Sequence, residues 1–380
     1  MKSLMISKTF LLLFIALFGL SALDVNAQTR RTRPRTRRAP VAKPKTTTPP
    51  ATTTTTTPTE TKKAETPKPP EKKSEPEEKP EPILPGPTIW RNPGKVEKLD
   101  FQYGKGGAAN APLPPFNFIE EDKSGSNPKV KVKDANGKTW GVKWGSEVHS
   151  EVFASKLVWA AGYYVEPAFF LKSGKIIGAI NLTRAAKYIA ADGSFKDARF
   201  ELKESGIKKM QGKESWLWDK NPFLGTKELN GLKIMIMLTS NWDSKDQRDA
   251  SRGSNTAIFK VKATGEERFL MTDWGGSMGK WGGVFSREKW DCDGFAKQSR
   301  DFIKGVKNGF IEFGYKGQRT DEIRTRITPA DAKWLLQYIG KITDAQLRTG
   351  LQASAATPEE VECFTRAIME RISQLKRIAE

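Results

Sequence analysis

The fold of this chain is decided by two short segments: Asn241-Trp242-Asp243-Ser244-Lys245-Asp246-Gln247-Arg248 and, starting 30 residues after Asp243, Asp273-Trp274-Gly275-Gly276. An Asp with a Lys two residues on places a proton acceptor beside a cation. A second Asp on a glycine-rich turn that follows a hairpin is a common holder of a metal–phosphate group. Together, the two segments predict a site for phosphate chemistry.

The first 27 residues have the pattern of a secretory signal peptide. Lys2 and Lys8 form a positive start, residues 10–23 are almost all apolar, and Val25-Asn26-Ala27 fits a small-residue cleavage site. The apolar run is short for a bilayer span. We therefore expect cleavage before Gln28 and a protein that is secreted or held in the periplasm or cell envelope, without a transmembrane span. The alternative is an uncleaved membrane anchor.

Residues 28–86 are predicted to be a disordered, basic, Pro/Thr-rich linker. They hold 13 of the 23 prolines and almost no large apolar side chains, so they cannot bury enough surface to offset chain entropy. Six arginines fall within residues 30–38. Such a segment would act as a tether.

The charge of the chain predicts an anionic partner. Removing +7 for the linker and +1 for the signal peptide from the net charge of +20 leaves +12 for residues 87–380. A basic domain of an exported protein suits an anionic ligand or an envelope polymer. Nucleic acid is not favoured, because an exported protein meets little of it.

The cysteine and histidine content limits the chemistry. His149 is the only histidine, and Cys292 and Cys363 are the only cysteines, so a zinc site of the usual Cys/His type is not expected. A metal would have oxygen ligands, which indicates Mg²⁺, Mn²⁺ or Ca²⁺. The sequence leaves open whether the two cysteines pair.

The first half of the folded part is predicted to be rich in strands. Residues 129–133 alternate strictly, Asn136-Gly137 marks a hairpin turn, and residues 139–144 form the return strand. A helix is expected over residues 146–161. A second hairpin is expected to turn at Ser173-Gly174.

The second half is predicted to be mainly helical. Residues 228–240 are apolar nearly all round, which indicates a buried helix. A hairpin is expected from residues 257–261 and 268–271, and Thr328, Thr343 and Thr357 are candidate helix N-caps. The fold class is therefore α+β and two-lobed, with a small β-rich N-lobe that carries one helix (87–185) and a larger helical C-lobe (186–380).

Four charged residues occur in the order that phosphoryl transfer from a nucleotide requires. Lys143 lies on a predicted strand, Glu151 on the next helix, Asp243 in a loop and Asp273 on the turn after a hairpin. A cation must hold the phosphates, an acid must aim that cation, a metal must bridge the phosphates, and a carboxylate must orient the acceptor hydroxyl.

This order resembles that of the protein kinases. Residues 151–162, Glu-Val-Phe-Ala-Ser-Lys-Leu-Val-Trp-Ala-Ala-Gly, resemble a helix of HipA-like Ser/Thr kinases that starts with Glu and ends with Gly before a proline-containing strand. Asp243-Ser244-Lys245 is similar to the Asp-x-Lys of kinase catalytic loops, and Asp273-Trp274-Gly275 to the Asp-Phe-Gly metal loop. The resemblance covers roughly residues 115–285.

The resemblance implies ATP and Mg²⁺ as cofactors and gives each residue a role. Lys143 would contact the phosphates and pair with Glu151. Asp243 would be the base, and Lys245 would neutralise the transferred phosphoryl group. Asp273 would ligate Mg²⁺.

Three details qualify these roles. Ser124 and Gly125 would belong to a short phosphate-covering loop, which lacks the repeated glycines of the family. Arg248 stands where the family has a metal-binding Asn, and a guanidinium cannot ligate Mg²⁺; Asp246 or Asp249 would be the substitutes. Glu147, one helical turn before Glu151, is the rival partner of Lys143.

Three hypotheses follow for the function. The first is an exported kinase-like protein that binds a nucleotide or phosphorylated ligand with a divalent cation and transfers phosphate to an envelope protein or carbohydrate. The second is a catalytically inactive kinase-fold binding module, tethered to the envelope by its basic linker. The third is a structural or interaction protein whose many tryptophans belong to a core or a sugar-binding surface.

Overall fold

The regular elements of the described chain up to residue 203 are mainly strands. The computed structural model describes residues 86–210, 215–244, 255–283, 286–317 and 321–380. The strands of the first half are β1 (Pro87–Thr88), β2 (Phe116–Asp122), β3 (Lys129–Lys133), β4 (Thr139–Lys143), β5 (Ala168–Ile177) and β6 (Ser194–Lys203). Two short 3₁₀ helices, Val96–Lys98 and Ala108–Asn110, lie between β1 and β2, and helix α1 (Val148–Ala160) follows β4.

β2 to β6 close into a barrel in the order β2-β3-β4-β6-β5. Val130 and Val132 on β3 and Trp140 and Val142 on β4 are fully buried in the barrel core. Because successive side chains of a strand point to opposite faces, Lys143 faces away from this core. The strict alternation predicted for β3 and the return strand predicted for β4 are thus confirmed, and the alternation along β4 determines where Lys143 points.

The hairpin predicted at Ser173-Gly174 is wrong. Both residues lie inside the continuous strand β5, where they pair with Lys196 and Phe195 of β6. Gly174 leaves room for the ring of Phe195, since a Cβ there would lie 2.5 Å from the ring. The glycine therefore allows a close approach of two strands and does not make a turn.

β1 and three strands that follow the barrel in the chain form a second sheet. It contains β7 (Ile207–Lys209), β8 (Thr256–Val261) and β9 (Glu267–Met271), and its order is β1-β9-β8-β7. β8 and β9 form the antiparallel hairpin that the sequence predicts. The turn that carries Asp273 follows β9 directly.

The remaining elements are mainly helical. They are α2 (Lys227–Leu238), α3 (Cys292–Ser299), the strand pair β10 (Ile303–Lys307) and β11 (Phe310–Phe313), α4 (Asp321–Arg324), α5 (Pro329–Ile339), α6 (Asp344–Gln352) and α7 (Pro358–Ala379). The three predicted threonine caps are confirmed: Thr328, Thr343 and Thr357 each form a capping box at the start of a helix. α2 is almost wholly buried, as its uniformly apolar sequence predicts.

These elements confirm the predicted α+β fold class, with a strand-rich part followed by a mainly helical part. The barrel includes β6, which extends to Lys203, so it reaches past the predicted lobe boundary at residue 185. Cys292 of α3 and Cys363 of α7 form a disulfide with a Cα–Cα distance of 6.2 Å. In the part of the chain that the structure describes, no helix combines the length and apolar character needed to cross a membrane.

Candidate functional site

Lys143 lies at the end of β4 and is buried, with 6% of its surface exposed. Its Nζ lies 2.5 Å from Glu147 Oε2 and 2.6 Å from Glu151 Oε1. Glu147 is the residue before α1, and Glu151 is in the first turn of that helix. The structure therefore confirms the predicted pairing with Glu151 and adds Glu147, which the sequence offers only as a rival.

Further charged residues surround this pair and were not predicted. Arg199 of β6 contacts Glu151, with 3.1 Å between Nε and Oε2, and also pairs with Glu201 on its own strand. Lys289 pairs with the other carboxylate, Glu147. Each carboxylate thus contacts two cations, which fixes the orientation of both acids around Lys143.

The environment shifts the pKa values of the central groups. Burial alone would lower the pKa of Lys143, but Glu151, Asp273 and Glu147 outweigh it and raise that pKa. Burial would raise the pKa of Glu147, but Lys143 and Lys289 lower it to about 2. Lys143 and Glu147 therefore remain an ion pair over the whole physiological pH range.

Asp273 lies on the turn after β9 and faces the same cluster. Its Oδ1 accepts a hydrogen bond from the Gly275 amide at 2.9 Å. One carboxylate oxygen each of Glu147, Glu151 and Asp273 lie within 4.8 Å of one another. The turn thus delivers a third carboxylate to the two that hold Lys143.

Asn241 connects the two sequence segments that carry Asp243 and Asp273. Its Nδ2 donates to the Asp273 carbonyl at 3.0 Å, and its Oδ1 accepts from the Asp243 amide at 3.1 Å. Trp242 N also donates to Gly276 O at 3.3 Å. The loop after α2 and the turn after β9 are therefore joined by both side-chain and backbone hydrogen bonds.

Two residues that the sequence reasoning missed support the Asp243 loop. Asn255 Nδ2 donates to the Asp243 carbonyl, and Asn255 O accepts from Thr272 N at 3.0 Å. The buried hydroxyl of Tyr315 donates to Asn241 O. No short motif marks these residues, because the contacts bridge 12 and 74 positions of the chain.

The loop with Ser124 and Gly125 connects β2 to β3 and is exposed. Ser124 Oγ accepts from Lys129 Nζ at 3.0 Å, and Arg184 donates to Gly125 O at 3.0 Å. The end of this loop reaches the site, since Asn127 Nδ2 donates to Glu147 Oε2 at 2.6 Å. Contact with phosphate by Ser124 and Gly125 stays a prediction.

Lys245 and Arg248 lie outside the described residues, as do Asp246 and Asp249. The roles predicted for them therefore stay predictions.

The donor set at the site suits a hard divalent cation. Carboxylate oxygens are the ligands that Mg²⁺ and Mn²⁺ prefer. Glu147 and Glu151 already contact Lys143, so Asp273, which is half-buried, is the acid best placed to hold a metal, with Glu147 beside it. The metal role of Asp273 itself stays a prediction.

A cavity of about 450 Å³ opens on the face of the barrel that carries Lys143. Its wall includes Lys131 of β3, Thr139 of β4 and Lys203 of β6, and it is closed on the other side by Phe259 and Leu270 of the second sheet. Thr139 and Lys143 are four residues apart on one strand, so they point to the same face and lie roughly 13 Å apart.

No family profile matches this chain, and no curated protein matches it. The structure of the Helicobacter pylori proinflammatory kinase CtkA is similar over 70% of this chain and 97% of that chain, with 14% identity and a TM-score of 0.40. The Golgi casein kinase is similar over 70% of this chain and 72% of that chain, with 9% identity and a TM-score of 0.36. The Golgi casein kinase with Mn/ADP bound is similar over 71% of this chain and 74% of that chain, with 9% identity and a TM-score of 0.38. None of these is named as a HipA-like kinase, so that narrower resemblance stays a prediction.

Proposed function

We propose that this chain is an exported kinase-like protein that binds ATP with Mg²⁺ or Mn²⁺ at Lys143 and Asp273. The observation that carries the proposal is one continuous set of contacts. Lys143 bridges Glu147 and Glu151, Asp273 lies beside these two acids, and Asn241 ties Asp273 to Asp243. A cation suited to phosphates thus lies beside an acid suited to a metal, and the loop of the candidate base is tied to the Asp273 turn by hydrogen bonds.

Each site residue would have its own role in phosphoryl transfer. Lys143 is held by two acids and would place its charge against the phosphate oxygens of the nucleotide. Asp243 would orient the acceptor hydroxyl and take its proton as the hydroxyl oxygen bonds to the γ-phosphorus and the bond to the β-phosphate oxygen breaks. When bound at Asp273, the metal supplies charge neutralisation for the phosphates. We propose an envelope protein or carbohydrate as the acceptor.

The cavity of about 450 Å³ would receive the base of the nucleotide. It lies on the same face of the barrel as Lys143, and its size falls within the range of small-ligand pockets. Phe259 and Leu270 offer it an apolar wall.

Calorimetric titration of the mature full-length chain with ADP and Mn²⁺ tests the binding. We expect saturable binding that depends on the metal, and a loss of affinity of about tenfold or more in Asp273→Asn and in Lys143→Met. Asp301→Asn and Lys304→Met, matched changes at exposed positions, should bind like the natural chain. Equal binding by all four variants would refute the proposal.

The second candidate, an inactive binding module, is favoured by Arg248, which stands where a metal-binding Asn is expected. Arg248→Asn separates the two candidates. If the natural chain has lost a metal ligand, this variant should gain phosphotransfer to a hydroxyl acceptor while the natural chain has none. An active natural chain whose activity is unchanged or reduced in Arg248→Asn would exclude the inactive module.

The proposed tether has its own test. Retention of the mature chain on isolated envelope material should weaken as salt is added and when residues 30–38 are deleted. Retention that is unaffected by both changes would exclude a role for the arginine cluster.

A further inference from the structure

A second cavity, of about 980 Å³, lies against the start of α1. Its wall is formed by Trp144 and Gly145, the first residues of α1, residues 172–174 of β5, residues 186–190 and the start of β6. The proposed nucleotide site does not use it. Its volume is sufficient for a small organic ligand.

The charges around this cavity are predominantly positive. Lys172, Lys187 and Lys196 line it and are exposed, and none of them forms an ion pair with another residue that the structure describes. Asp197 is the only acidic residue in the described lining. Unpaired lysines around a concave surface attract and hold oxyanions.

The deep wall of the cavity is aromatic and carries an unsatisfied polar group. Trp144 stacks on Tyr188 with 5.8 Å between the ring centroids and 13° between the ring planes, and Lys187 lies 5.0 Å from the Tyr188 ring. Trp144 is 1% exposed, and its Nε1 has no hydrogen-bond acceptor within the described ranges. A buried N–H without an acceptor is unfavourable, so a ligand oxygen admitted by a small shift of the stacked rings would stabilise this wall.

We propose that this cavity binds a small organic oxyanion, with carboxylate or phosphate groups, at a site separate from the nucleotide cleft. The three lysines hold the anionic groups, and the aromatic wall accommodates the carbon skeleton. Each feature comes from side chains that have no role in the nucleotide site.

The position of the cavity makes its occupant an effector of the cleft. Trp144 follows Lys143 directly, and Val148, another lining residue, follows Glu147. A ligand that fixes residues 144–149 therefore also fixes the geometry of the Lys143–Glu147 pair. This coupling rests on the proposed function, whereas the binding of the anion does not.

Titration of the mature full-length chain with citrate and, separately, with glucose 6-phosphate tests the site. We expect a Kd below about 1 mM for at least one of the two probes. The triple variant Lys172→Gln/Lys187→Gln/Lys196→Gln should weaken it about tenfold or more. Ala190→Trp, which fills the cavity from an exposed lining position without a change of charge, should also abolish binding.

A matched control separates the site from general attraction to a basic protein. Lys297→Gln/Lys304→Gln/Lys307→Gln removes the same charge from exposed positions elsewhere and should leave the Kd within about twofold. Equal weakening by both triples, or full binding by Ala190→Trp, would overturn the proposal. So would the failure of both probes to bind.

The effector role has a separate readout. The anion that binds should change the Kd for ADP with Mn²⁺, and ADP with Mn²⁺ should change the Kd of that anion by the same factor. Anion binding that leaves the nucleotide Kd unchanged would overturn the effector role. If ADP does not bind at all, the proposed function fails, while the lysine and Ala190 variants still decide the anion site.

Discussion

Glycine is required at positions 275 and 276 by the two acids that pass close to the Asp273 turn. A Cβ at Gly275 would lie 2.8 Å from the carboxyl carbon of Glu147, and one at Gly276 would lie 2.9 Å from the Cβ of Asp243. The two glycines therefore allow the turn to approach α1 on one side and the Asp243 loop on the other. These close approaches explain why two glycines follow Asp273-Trp274 in the sequence.

Gly276→Ala should disturb the site more than a glycine substitution with free space. The added methyl would collide with Asp243 and with Asn241 Oδ1, 2.9 Å away, and overpacking of this kind costs about 1–3 kcal/mol. We expect that loss in the free energy of unfolding, measured with denaturant, together with weaker binding of ADP and Mn²⁺. Gly283→Ala is the control, because its Cβ would meet nothing closer than 4.0 Å. Equal losses in both variants would contradict the packing described here.

Glu147→Gln should destabilise the protein at neutral pH and have less effect in acid. The pKa of Glu147 is about 2 in the folded state against an ordinary value near 4.5. A carboxylate with a lowered folded pKa stabilises the fold above its unfolded pKa, and that stabilisation is lost as the pH falls from about 4.5 towards 2. The shift corresponds to at most about 3 kcal/mol. Unfolding free energies of both proteins at several pH values from 7 to 3 measure the difference, and a difference that is constant with pH would contradict the charge-based account.

At the residue scale, the sequence was sufficient to place Lys143 on a strand, Glu151 on a helix, and Asp243 and Asp273 in a loop and a turn, because each lies in a local pattern that fixes its element. It could not find Arg199, since that arginine reaches Glu151 only through the pairing of β4 with β6, where Lys143 lies opposite Arg199. Lys289 likewise reaches Glu147 across 142 positions of the chain. Ion pairs between residues so far apart in the chain have no fixed sequence spacing from which they could be predicted.

At the element scale, the strands with strict alternation and the helices with threonine caps were predictable, whereas β6 was not. β6 reads Ser-Phe-Lys-Asp-Ala-Arg-Phe-Glu-Leu-Lys, and two of its charged residues, Arg199 and Glu201, are buried because they pair with each other and with neighbours on the barrel. Charged residues are normally expected to be exposed, so the sequence of β6 does not show the apolar pattern that predicts a buried strand. The turn was wrongly predicted at Ser173-Gly174 for the same reason: β6, the strand that pairs with β5 at these residues, could not be recognised in the sequence.

Helix α7 supports the loop of Asp243 through one buried side chain. Arg371 Nη1 donates to Leu238 O at 2.8 Å and to Ser240 Oγ at 2.7 Å, at the end of α2. The last carbonyls of a helix need such partners. The guanidinium also lies 3.6 Å from the centroid of Phe295. Arg371 therefore fixes the point at which α2 ends and the site loop begins.

Arg371→Met should destabilise the fold by about 3 kcal/mol, because it leaves several buried acceptors without a donor. Arg377→Met on the same helix removes an exposed arginine that is 3.5 Å from Glu370, and should cost less than about 0.5 kcal/mol. Denaturant unfolding of the two variants measures both values. A small effect of Arg371→Met would show that α7 does not support the end of α2.

At the scale of the whole molecule, the disulfide joins α3 to α7 and so stabilises the helix that carries Arg371. It closes a loop between cysteines 71 positions apart, which corresponds to about 4 kcal/mol of stability in the chain-entropy model. Cys292→Ser/Cys363→Ser should lose stability of that order, and a reducing agent should destabilise the natural chain but not this variant. Two free thiols in the native protein, found by labelling and mass spectrometry, would contradict the disulfide.

A disulfide of this kind suits an oxidising compartment, which supports the proposed export. The signal peptide, the linker and the boundaries of the predicted segments stay predictions, since residues 1–85 lie outside the described part of the chain.

The central claim is that Lys143, Glu147, Asp243 and Asp273 form one site for a metal and a nucleotide. The anomalous scattering of Mn²⁺ in crystals of the protein grown with ADP tests it most directly. We expect a manganese peak about 2.2 Å from a carboxylate oxygen of Asp273, with the ADP phosphates in contact with Lys143 Nζ. An ordered Mn²⁺–ADP complex bound elsewhere on the protein, with no contact to either residue, would contradict the claim.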